Sequence, residues 1–458
     1  MNKFLLVAIN SKYIHSNLAV YCLKAATAYS DKVYIREFTI NNQLEDILKN
    51  IYLEKPDVIG ISCYIWNINY VKELLHELNK LLPGVKIWLG GPEVSYNTEE
   101  YAGRYENVAG VIKGEGEAVF KELMDCYMEG REKDIPSIPG ITTVSDGKII
   151  DNPCTLVYDM SDSVMPYYAA GYKEDDYKNK IIYYESSRGC PFSCSYCLSS
   201  VDKHLRFRNT ELVLTDLKVF LDNKVALVKF VDRTFNCNHE HAYEIWKYLL
   251  EHDNGITNFH FEVAADLLRE EDFALFAQMR KGLIQLEIGI QSTYPDTITE
   301  IRRVMDVGKV AECVARVKKM HNIHQHLDLI AGLPFETFAQ FQQSFNDVYA
   351  MRPDQLQLGF LKVLKGSYME EKKEDYGIIS TSEPPYEVLA TKWLSYEERS
   401  LLKDVEEMVE VYYNSGQFMH TLEYLLAGRE DTFSFYLQLS RYYRQREWMG
   451  YKLSLIHI

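Results

Sequence analysis

The segment SSRGCPFSCSYCLSS, Ser186 to Ser200, decides how this sequence is interpreted. Its three cysteines, Cys190, Cys194 and Cys197, have the spacing CxxxCxxC. Three thiolates on one short loop can bind three irons of a 4Fe–4S cluster, which leaves the fourth iron open to a chelating small molecule. Gly189 suits the tight turn that such a loop needs. The segment therefore predicts an iron–sulfur cluster.

A structural zinc site is the alternative for the same cysteines. Zinc normally takes four protein ligands, commonly as two CxxC pairs. The nearest candidates for a fourth ligand are His204 and Cys237, and neither repeats the pattern. The chain has nine cysteines in total, and the six outside the loop are expected to be buried or incidental. The spacing favours the cluster over zinc.

Composition narrows the class of protein. The chain has 458 residues, which as a prior means two or three domains, and its formal net charge is -16. Phosphate binding needs concentrated Lys and Arg, so nucleic acid is not an expected partner. The N-terminal segment MNKFLLVAIN has too few consecutive apolar residues for the core of a signal peptide. No stretch approaches the ~18 apolar residues of a membrane span, and we expect a cytoplasmic protein.

The first third of the chain alternates β-rich and helical patterns, which predicts a doubly wound parallel sheet over residues 1–135. The predicted strands are Lys3–Ile9, Lys32–Thr39, Val58–Cys63, Lys86–Leu89 and Val108–Ile112. The predicted helices are Leu18–Tyr29, Gln43–Leu53, Ile68–Leu82 and Glu115–Met128. Residues 136–179 contain several Pro, Asp and Gly and predict a surface linker, with a hairpin at Asp146–Gly147.

A second alternation predicts a (β/α)6 partial TIM barrel over residues 180–367, with chemistry at the carboxyl ends of its strands. The predicted strands are Ile181–Glu185, Leu227–Val231, Asn258–Glu262, Leu283–Ile290, His326–Ile330 and Gln355–Phe360. Residues 368–458 predict a helical region without strands. Its aromatic residues Tyr412, Tyr413 and Tyr424 are expected in a core. The final LSLIHI carries no helix-stop signal, and we expect a truncated or artificial end.

At the cysteine segment the sequence resembles the radical S-adenosylmethionine superfamily. In that family, three cysteines spaced in this way hold a 4Fe–4S cluster, and S-adenosylmethionine chelates the open iron. The reduced cluster donates one electron, the carbon–sulfur bond breaks, and a 5′-deoxyadenosyl radical forms. The residue before the third cysteine is usually aromatic and lies near the adenine. The resemblance implies that role for Tyr196.

Four further motifs follow in the family's order between about Lys180 and Lys365. The resemblance implies contacts with S-adenosylmethionine from residues at the strand ends: Asp232 in VKFVDRTF, Glu262 in FHFEVAADLL, Gln291 and Arg303 in LEIGIQSTYPDTITEIRR, and Gly332 in HLDLIAGLPFET. Taken alone, Asp232 is also compatible with a strand-end cap, Glu262 with an exposed acid at the end of a strand, and Arg303 with a solvated helix face. The glycine-rich motif of many members is replaced by VDRTF. This variant resembles the branch with an N-terminal cobalamin-type domain.

Two glycine motifs in the N-terminal region, LGGPEVS and IKGEGEAVF, each follow a predicted strand and precede a helix. Glycines at such turns let the backbone approach a ligand, although they also occur in any α/β domain. The motifs resemble the cobalamin-binding domain of cobalamin-dependent radical enzymes. That resemblance implies a nucleotide-tail site formed by a set of residues at the strand ends: Ser62, Gly90, Gly91, Pro92, Gly114, Glu115 and Gly116.

His15 occupies the histidine position of a DxHxxG motif, whose histidine ligates cobalt in free-standing cobalamin domains. Here Tyr13 replaces the Asp and Leu18 replaces the Gly. Without the Asp, no carboxylate orients the imidazole. The resemblance to the cobalamin-dependent radical branch implies cobalamin without a histidine ligand. His15 is therefore predicted as a residue of the cobalamin pocket first and a cobalt ligand second.

The leading hypothesis is a radical S-adenosylmethionine enzyme that methylates an unactivated carbon with the help of cobalamin. Two alternatives stay open: cobalamin-assisted radical cyclisation or rearrangement, and an N-terminal domain that only recruits substrate. The expected substrate is a small molecule or a peptide, and the expected electron donor is a flavodoxin or ferredoxin. The segment KHLRFR, Lys203–Arg208, has three interpretations: a docking patch for that donor, a site for substrate phosphate, or a solvated surface.

Overall fold

The computed structural model describes residues 1, 3–161, 163–201 and 203–450. The expectation about LSLIHI lies outside the described residues. By its contacts the chain divides into two compact units. Unit 1 comprises residues 1–186 and 206–229, and unit 2 comprises residues 187–205 and 230–458. The domain boundaries predicted from the sequence stay a prediction.

The strands and helices are labelled in chain order. The strands are β1 Phe4–Asn10, β2 Val33–Thr39, β3 Val58–Ser62, β4 Lys86–Gly90, β5 Val108–Ile112, β6 Ile141–Ser145, β7 Lys148–Asp151, β8 Ile181–Tyr184, β9 Ser187–Arg188, β10 Arg206–Phe207, β11 Leu227–Phe230, β12 Asn258–Glu262, β13 Ile284–Gln291, β14 His324–Ala331, β15 Gln355–Phe360, β16 Ile379–Ser380 and β17 Val388–Ala390. The helices are α1 Leu18–Ala26, α2 Leu44–Glu54, α3 Ile68–Leu81, α4 Gly116–Met128, α5 Pro166–Ala170, α6 Thr210–Asp222, α7 His239–Glu251, α8 Glu270–Phe276, α9 Pro295–Glu300, α10 Val307–Met320, α11 Phe338–Ala350, α12 Tyr368–Glu371, α13 Tyr396–Val409, α14 Met419–Leu425 and α15 Phe433–Gln445.

The first sheet has the strand order β2-β1-β3-β4-β5-β6-β7. Strands β1 to β5 are parallel. All seven residues of β1 are buried, which is what a central parallel strand covered on both faces requires. The order reverses between β1 and β3, and ligands of such sheets bind outside the carboxyl ends of the strands at this switch point. The predicted parallel α/β fold is confirmed.

Residues 136–179 contain more regular structure than a surface linker. Strands β6 and β7 form the predicted hairpin and extend the sheet with antiparallel pairing. The short helix α5 then carries Tyr167, which is fully buried. Tyr167 packs against Tyr21 of α1 and Phe220 of α6 at ring-centroid distances of 5.3 and 5.9 Å. The density of Pro, Gly and Asp in this segment concealed that it contributes to the core of unit 1.

The second sheet has the order β15-β14-β13-β12-β11-β8, in agreement with the predicted partial barrel. Strands β12 to β15 are parallel. Alternate residues of β13 and β14 are buried, with Ile and Leu on one face. The other face carries polar side chains, so Glu262 of β12 lies in register with Glu287 of β13. This alternation brings the predicted site residues to one face of the sheet.

The C-terminal region is helical, with one correction. Strands β16 and β17 pair as a short antiparallel ribbon, although the sequence predicted no strands there. Tyr413 is buried as expected, and the Tyr412 hydroxyl lies 2.6 Å from that of Tyr443. Tyr424 is 85% exposed, so its prediction as a core residue was wrong. Helix α14 buries only Leu422, and Tyr424 lies on its open side.

None of the helices within the described residues is long and apolar enough to cross a lipid bilayer.

The ion pair between Arg208 and Asp216 tests the core of unit 1. Arg208 Nη2 lies 3.0 Å from Asp216 Oδ2, both side chains are buried, and the Tyr184 hydroxyl donates to the same oxygen at 2.8 Å. We expect Asp216→Ala to lower the free energy of unfolding by about 3 kcal/mol or more, because it leaves a buried guanidinium unpaired. Urea denaturation measures the change.

The exposed pair Lys218–Asp222 on the same helix supplies the control. Asp222→Ala should change the free energy of unfolding by less than about 1 kcal/mol. Equal effects of the two substitutions would contradict the structural role of the buried pair.

Candidate functional site

The cysteine loop is anchored through its backbone. The amide of Ser195 donates to the carbonyl of Ile301 at 2.9 Å, and the amide of Met369 donates to the carbonyl of Ser195 at 3.1 Å. Cys190 and Cys194 are buried and Cys197 is half-buried. The loop is thereby held with its thiols at the carboxyl end of the sheet in unit 2.

Gly189 is required by the geometry of this loop. Its φ is +90°, and a Cβ atom there would lie 2.6 Å from the carbonyl oxygen of His204. Both the backbone angle and the close approach exclude a larger residue. Lys203 Nζ also donates to Ser193 Oγ at 2.9 Å. These two contacts hold residues 203 and 204 against the cysteine loop.

Arg303 brings a positive charge to the loop. Its Nη1 donates to the Tyr196 hydroxyl at 3.2 Å and to Cys194 Sγ at 3.9 Å, and its Nη2 donates to the carbonyl of Gly289. The Arg303 side chain is half-buried with its Nε fully buried, and within the described part of the chain no carboxylate lies within ion-pair distance of it. Its Nε has no hydrogen-bond partner there either. A guanidinium that is removed from water and has no anionic partner is unfavourable, so we expect an anion to bind beside it.

The same contacts act on the cysteine. Burial raises the pKa of the Cys194 thiol, and the positive charge of Arg303 and a hydrogen bond from Tyr196 act in the opposite direction. Both contacts favour the thiolate, which is the form that binds metal. The donor set of three thiols beside a guanidinium therefore fits an anionic iron–sulfur cluster.

Gln291 ends β13 in a strained conformation. Its φ is +72°, and the pairing of β13 with β14 shifts register between Gly289 and Gln291. A Cβ atom on Gly289 would lie 2.3 Å from Nε2 at the end of the Gln291 side chain, so a larger residue there would displace the Gln291 amide. Gln291 Oε1 is buried with no hydrogen-bond partner among the described residues. The bulge aims an unsatisfied amide at the site, and Gly289 is a site residue that the sequence analysis missed.

The remaining predicted S-adenosylmethionine contacts lie at strand ends. Asp232 is buried, and its Oδ1 accepts from Ser187 Oγ at 2.6 Å. Glu262 is half-buried at the end of β12. Gly332 has a φ of +88°, and a Cβ there would lie 2.7 Å from Val388 Cγ1. The requirement for glycine at 332 therefore arises from packing against β17.

The zinc alternative needs a fourth ligand beside the three cysteines. His204 is exposed. Burial raises the pKa of Cys237 to about 11, and the charges of Cys190 and Asp232 also affect it. Within the described residues, no three His, Cys, Asp or Glu side chains are arranged as ligands of a single metal ion, and this holds for the loop cysteines as well as for these two candidates. The preference for a cluster over zinc therefore rests on the cysteine spacing.

Glu336 is a buried acid that the sequence analysis missed. Its Oε1 accepts from Ser292 Oγ at 2.5 Å and from Ser344 Oγ at 2.9 Å. Burial raises its pKa to about 7, against the opposing effect of the two hydroxyls. Ser292 follows Gln291 directly, so this cluster braces the bulge. The only signal in the sequence was the acid at the end of GLPFE, which periodicity places on a loop.

In unit 1 the predicted cobalamin residues lie at the carboxyl edge of the first sheet. Ser62, at the end of β3, has a buried Oγ with no hydrogen-bond partner among the described residues. Gly91 has a φ of +117°, and a Cβ there would lie 2.4 Å from the carbonyl oxygen of Cys63. Ser95 Oγ donates to the Gly91 carbonyl at 2.8 Å and accepts from the Gly114 amide at 3.4 Å. An unsatisfied hydroxyl beside bridged glycine turns fits a polar ligand, and sequence analysis missed Ser95.

The other residues of the two motifs differ in their surroundings. Pro92 and Gly114 are exposed, and Gly114 has a φ of +64°. A Cβ on Gly90 would make only ordinary contact, 3.7 Å from Ile112, whereas one on Gly116 would lie 2.8 Å from Leu23 Cδ2. Gly116 therefore serves the packing of α4 against α1.

The arginines of KHLRFR are committed to contacts within unit 1. Arg206 Nη1 donates to Glu115 Oε2 at 2.8 Å, and Arg206 Nη2 also pairs with the same carboxylate. Arg208 pairs with Asp216 and donates to Ser163. These two arginines do not form an exposed patch, so neither the docking interpretation nor the solvated one describes them. The Glu115 carboxylate, predicted at the cobalamin site, is held by Arg206.

His15 has a partner in place of the missing carboxylate. Its Nδ1 lies 2.7 Å from the Tyr183 hydroxyl, and its carbonyl accepts from Asn10 Nδ2 at 3.2 Å. Burial lowers the pKa of His15, and the charges of Lys12 and Lys229 add to that effect. A neutral imidazole with one nitrogen engaged is compatible with a pocket residue, and the choice between pocket residue and cobalt ligand stays a prediction.

Three family descriptions match consecutive parts of the chain. Residues 5–124 match the B12 binding domain. Residues 184–348 match the Radical SAM superfamily. Residues 374–458 match a family described as "Protein of unknown function (DUF4080)".

Two curated relatives are similar to the chain. The cobalamin-dependent radical SAM methyltransferase TokK of Streptomyces tokunonensis is 24% identical, over 87% of this chain and 60% of its own length. An anaerobic magnesium-protoporphyrin IX monomethyl ester cyclase of Rubrivivax gelatinosus is 21% identical, over 72% of this chain and 60% of its own length. The chain spans between 45% and 64% of the length of the first three curated relatives that it matches.

A solved structure shares the fold. The cobalamin-dependent S-adenosylmethionine radical enzyme OxsB, with aqua-cobalamin and S-adenosylmethionine bound, superposes with a TM-score of 0.69. The match is 16% identical in sequence and covers 98% of this chain and 71% of that one. This likeness confirms the predicted architecture.

Glu336 gives the site a testable pH dependence. Because its pKa is raised to about 7 in the folded protein, against about 4.3 for an ordinary Glu, wild-type stability should fall as the pH rises through that window and then level off. Glu336→Gln cannot ionise. At pH 8 we expect the free energy of unfolding of Glu336→Gln, measured by urea denaturation, to exceed that of wild type by about 2 kcal/mol. This difference should disappear towards pH 5.

The exposed Glu99→Gln is the matched control, and it should show no such pH-dependent difference. An advantage of Glu336→Gln that is the same at pH 5 and pH 8 would rule out ionisation of Glu336 as its cause.

Proposed function

We propose that this chain, which combines a B12-binding domain with a Radical SAM domain and is homologous to cobalamin-dependent radical SAM methyltransferases, transfers a methyl group to an unactivated carbon. The observation that carries the proposal is the buried Arg303 beside the cysteine loop. It supplies a positive charge without a carboxylate partner next to Cys194 and Tyr196. Three thiolates and the carboxylate of S-adenosylmethionine are the anions that this charge would balance.

Cys190, Cys194 and Cys197 would hold the cluster. Arg303 would bind the carboxylate of S-adenosylmethionine, and the unsatisfied Oε1 of Gln291 would accept from its ribose. Tyr196 would lie near the adenine, with Glu262 and Asp232 as contacts for the ribose and amino groups. The hydrogen bond from Ser187 Oγ to Asp232 Oδ1 supports a second role for Asp232, which is to position the start of the cysteine loop.

Ser62, Gly91 and Gly114 would hold the nucleotide tail of cobalamin at the switch point of the first sheet. Ser95 connects the two glycine turns and would keep their amide groups in place. His15 and Tyr183, which are hydrogen-bonded to each other, would line the pocket.

When bound, the reduced cluster and S-adenosylmethionine supply a 5′-deoxyadenosyl radical, and methylcobalamin supplies a methyl group. The chain's own residues bind and orient these groups. The hydrogen bond from Arg303 to Tyr196 would fix both side chains beside Cys194. Glu336 and the serines around it keep the Gln291 bulge in one conformation. Such fixed placement is the protein's contribution to radical chemistry.

For the partners of the enzyme we infer only the chemical class. The superfamily acts on small molecules or peptides and needs an electron donor, for which we propose a flavodoxin or ferredoxin. Because Arg206 and Arg208 are engaged in ion pairs, the donor's docking surface is not assigned to them. We place the enzyme in the cytoplasm.

Radical cyclisation is the second candidate, because the cyclase of Rubrivivax gelatinosus matches the chain at an identity close to that of the methyltransferase. Both reactions use a radical, but only methyl transfer with renewal of methylcobalamin forms S-adenosylhomocysteine. The amount of that product per turnover therefore separates the two reactions.

Cofactor content tests the proposal directly. Anaerobically purified or reconstituted protein should contain about four irons and stoichiometric cobalamin per chain. Replacing any one of Cys190, Cys194 and Cys197 by Ala should abolish the visible absorption of the cluster and leave cobalamin in place. Cys313→Ser, on α10 and outside both sets of assigned residues, should keep both. Four irons without cobalamin would exclude the methyl-transfer mechanism.

Arg303→Met tests the role of the buried charge. It removes the only cation that contacts both Cys194 and Tyr196 among the described residues, so we expect binding of S-adenosylmethionine to weaken at least tenfold, or about 1.4 kcal/mol. Calorimetry on the cluster-loaded protein measures the affinity. The neighbouring Arg302, exposed and stacked on Tyr368, gives the matched Arg302→Met control, which should bind normally. If both variants bind S-adenosylmethionine with the same affinity, Arg303 does not contribute to its binding.

A further inference from the structure

The cysteine loop has a second neighbour besides Arg303, the turn that follows β11. Asp232 in this turn accepts from Ser187 Oγ at 2.6 Å, which fixes the start of the loop. Two residues further on, Thr234 Oγ1 lies 3.7 Å from Cys190 Sγ. Its backbone carbonyl accepts from the amide of Cys237 at 3.0 Å and closes the turn. The hydroxyl of Thr234 is thereby held against one cysteine.

The chemistry of the loop determines the direction of this contact. Either group can donate while Cys190 is a thiol. A cysteine that binds iron is a thiolate and has no proton, so only Thr234 can then donate. In this structure the Thr234 hydroxyl donates to the carbonyl of Arg233 at 2.9 Å. Rotation about one bond redirects that proton to the sulfur, which is the stronger acceptor once it is a thiolate. Thr234 and Cys190 are each 9% exposed, so water competes little for the contact.

We infer that Thr234 donates a hydrogen bond to the thiolate of Cys190 and raises the reduction potential of the cluster. The inference rests on the proposed function, because it requires the cluster to be present. Reduction adds negative charge that spreads onto the sulfur ligands, so a donor to one of them stabilises the reduced state more than the oxidised state. Thr234 is in this sense a positioning residue that adjusts the electron transfer needed to cleave S-adenosylmethionine.

Thr234 is also the residue with which the effect can be isolated. Arg303 contacts Cys194 in a similar way, but it is charged and is assigned to the binding of S-adenosylmethionine. The Thr234 side chain is neutral and close in shape to valine.

The test is a redox titration of the 4Fe–4S cluster in the full chain, followed by electron paramagnetic resonance, without substrate. Thr234→Val removes the hydroxyl and should shift the midpoint potential to more negative values at unchanged iron content. Thr234→Ser keeps the hydroxyl and should stay close to wild type. Thr257→Val is the control for a buried threonine, because its hydroxyl accepts from Asn254 at the opposite end of β12.

The outcomes separate this inference from the proposed function. A wild-type chain that binds no cluster overturns both. A normal cluster with the same potential in wild type and Thr234→Val overturns only the hydrogen bond. If Thr234→Val fails to hold the cluster while Thr234→Ser holds it, the hydroxyl is required at the thiolate, and Thr234→Ala, which also lacks the hydroxyl, is titrated in its place: a more negative potential supports the inference and an unchanged one overturns it. If both Thr234→Val and Thr234→Ser lose the cluster, the hydroxyl is not what the cluster requires at this position, and the inference is overturned.

Discussion

The burial of one positive charge beside three cysteines is the constraint on which the site in unit 2 depends. Arg303 contacts Cys194, Tyr196 and the carbonyl of Gly289, so it connects the cysteine loop to the end of β13. A guanidinium in such surroundings is costly without an anion. The cysteine loop and the end of β13 are both held by this one guanidinium.

The first sheet meets a different requirement. Its carboxyl edge presents backbone amides and small polar groups, with Ser62 unsatisfied and Ser95 bridging the turns at Gly91 and Gly114. Neutral donors of this kind suit a long polar tail better than a compact charge. Unit 1 and unit 2 thus provide two types of binding edge, each at the carboxyl ends of parallel strands where such sheets bind ligands.

Buried polar groups around the sites serve mainly to hold backbone in place. Glu336 with Ser292 braces the bulge of β13, and Arg206 holds Glu115 at the start of α4. Both contacts connect residues that are far apart in the sequence. Several predicted binding residues, Glu115 and Gly332 among them, therefore have a packing partner in addition to the role implied by resemblance.

The sequence by itself determined the parallel α/β architecture, the cysteine loop and the approximate bounds of most strands, because these depend on local periodicity and on spacing within a few residues. Only the tertiary structure decided that residues 136–179 join the core through Tyr167, that Tyr183 takes the place of a carboxylate at His15, and that Gly289 makes room for Gln291. It also placed Arg206 and Arg208 in ion pairs. Each of these depends on contacts between distant segments, and local patterns carry no information about which distant side chain a residue will meet.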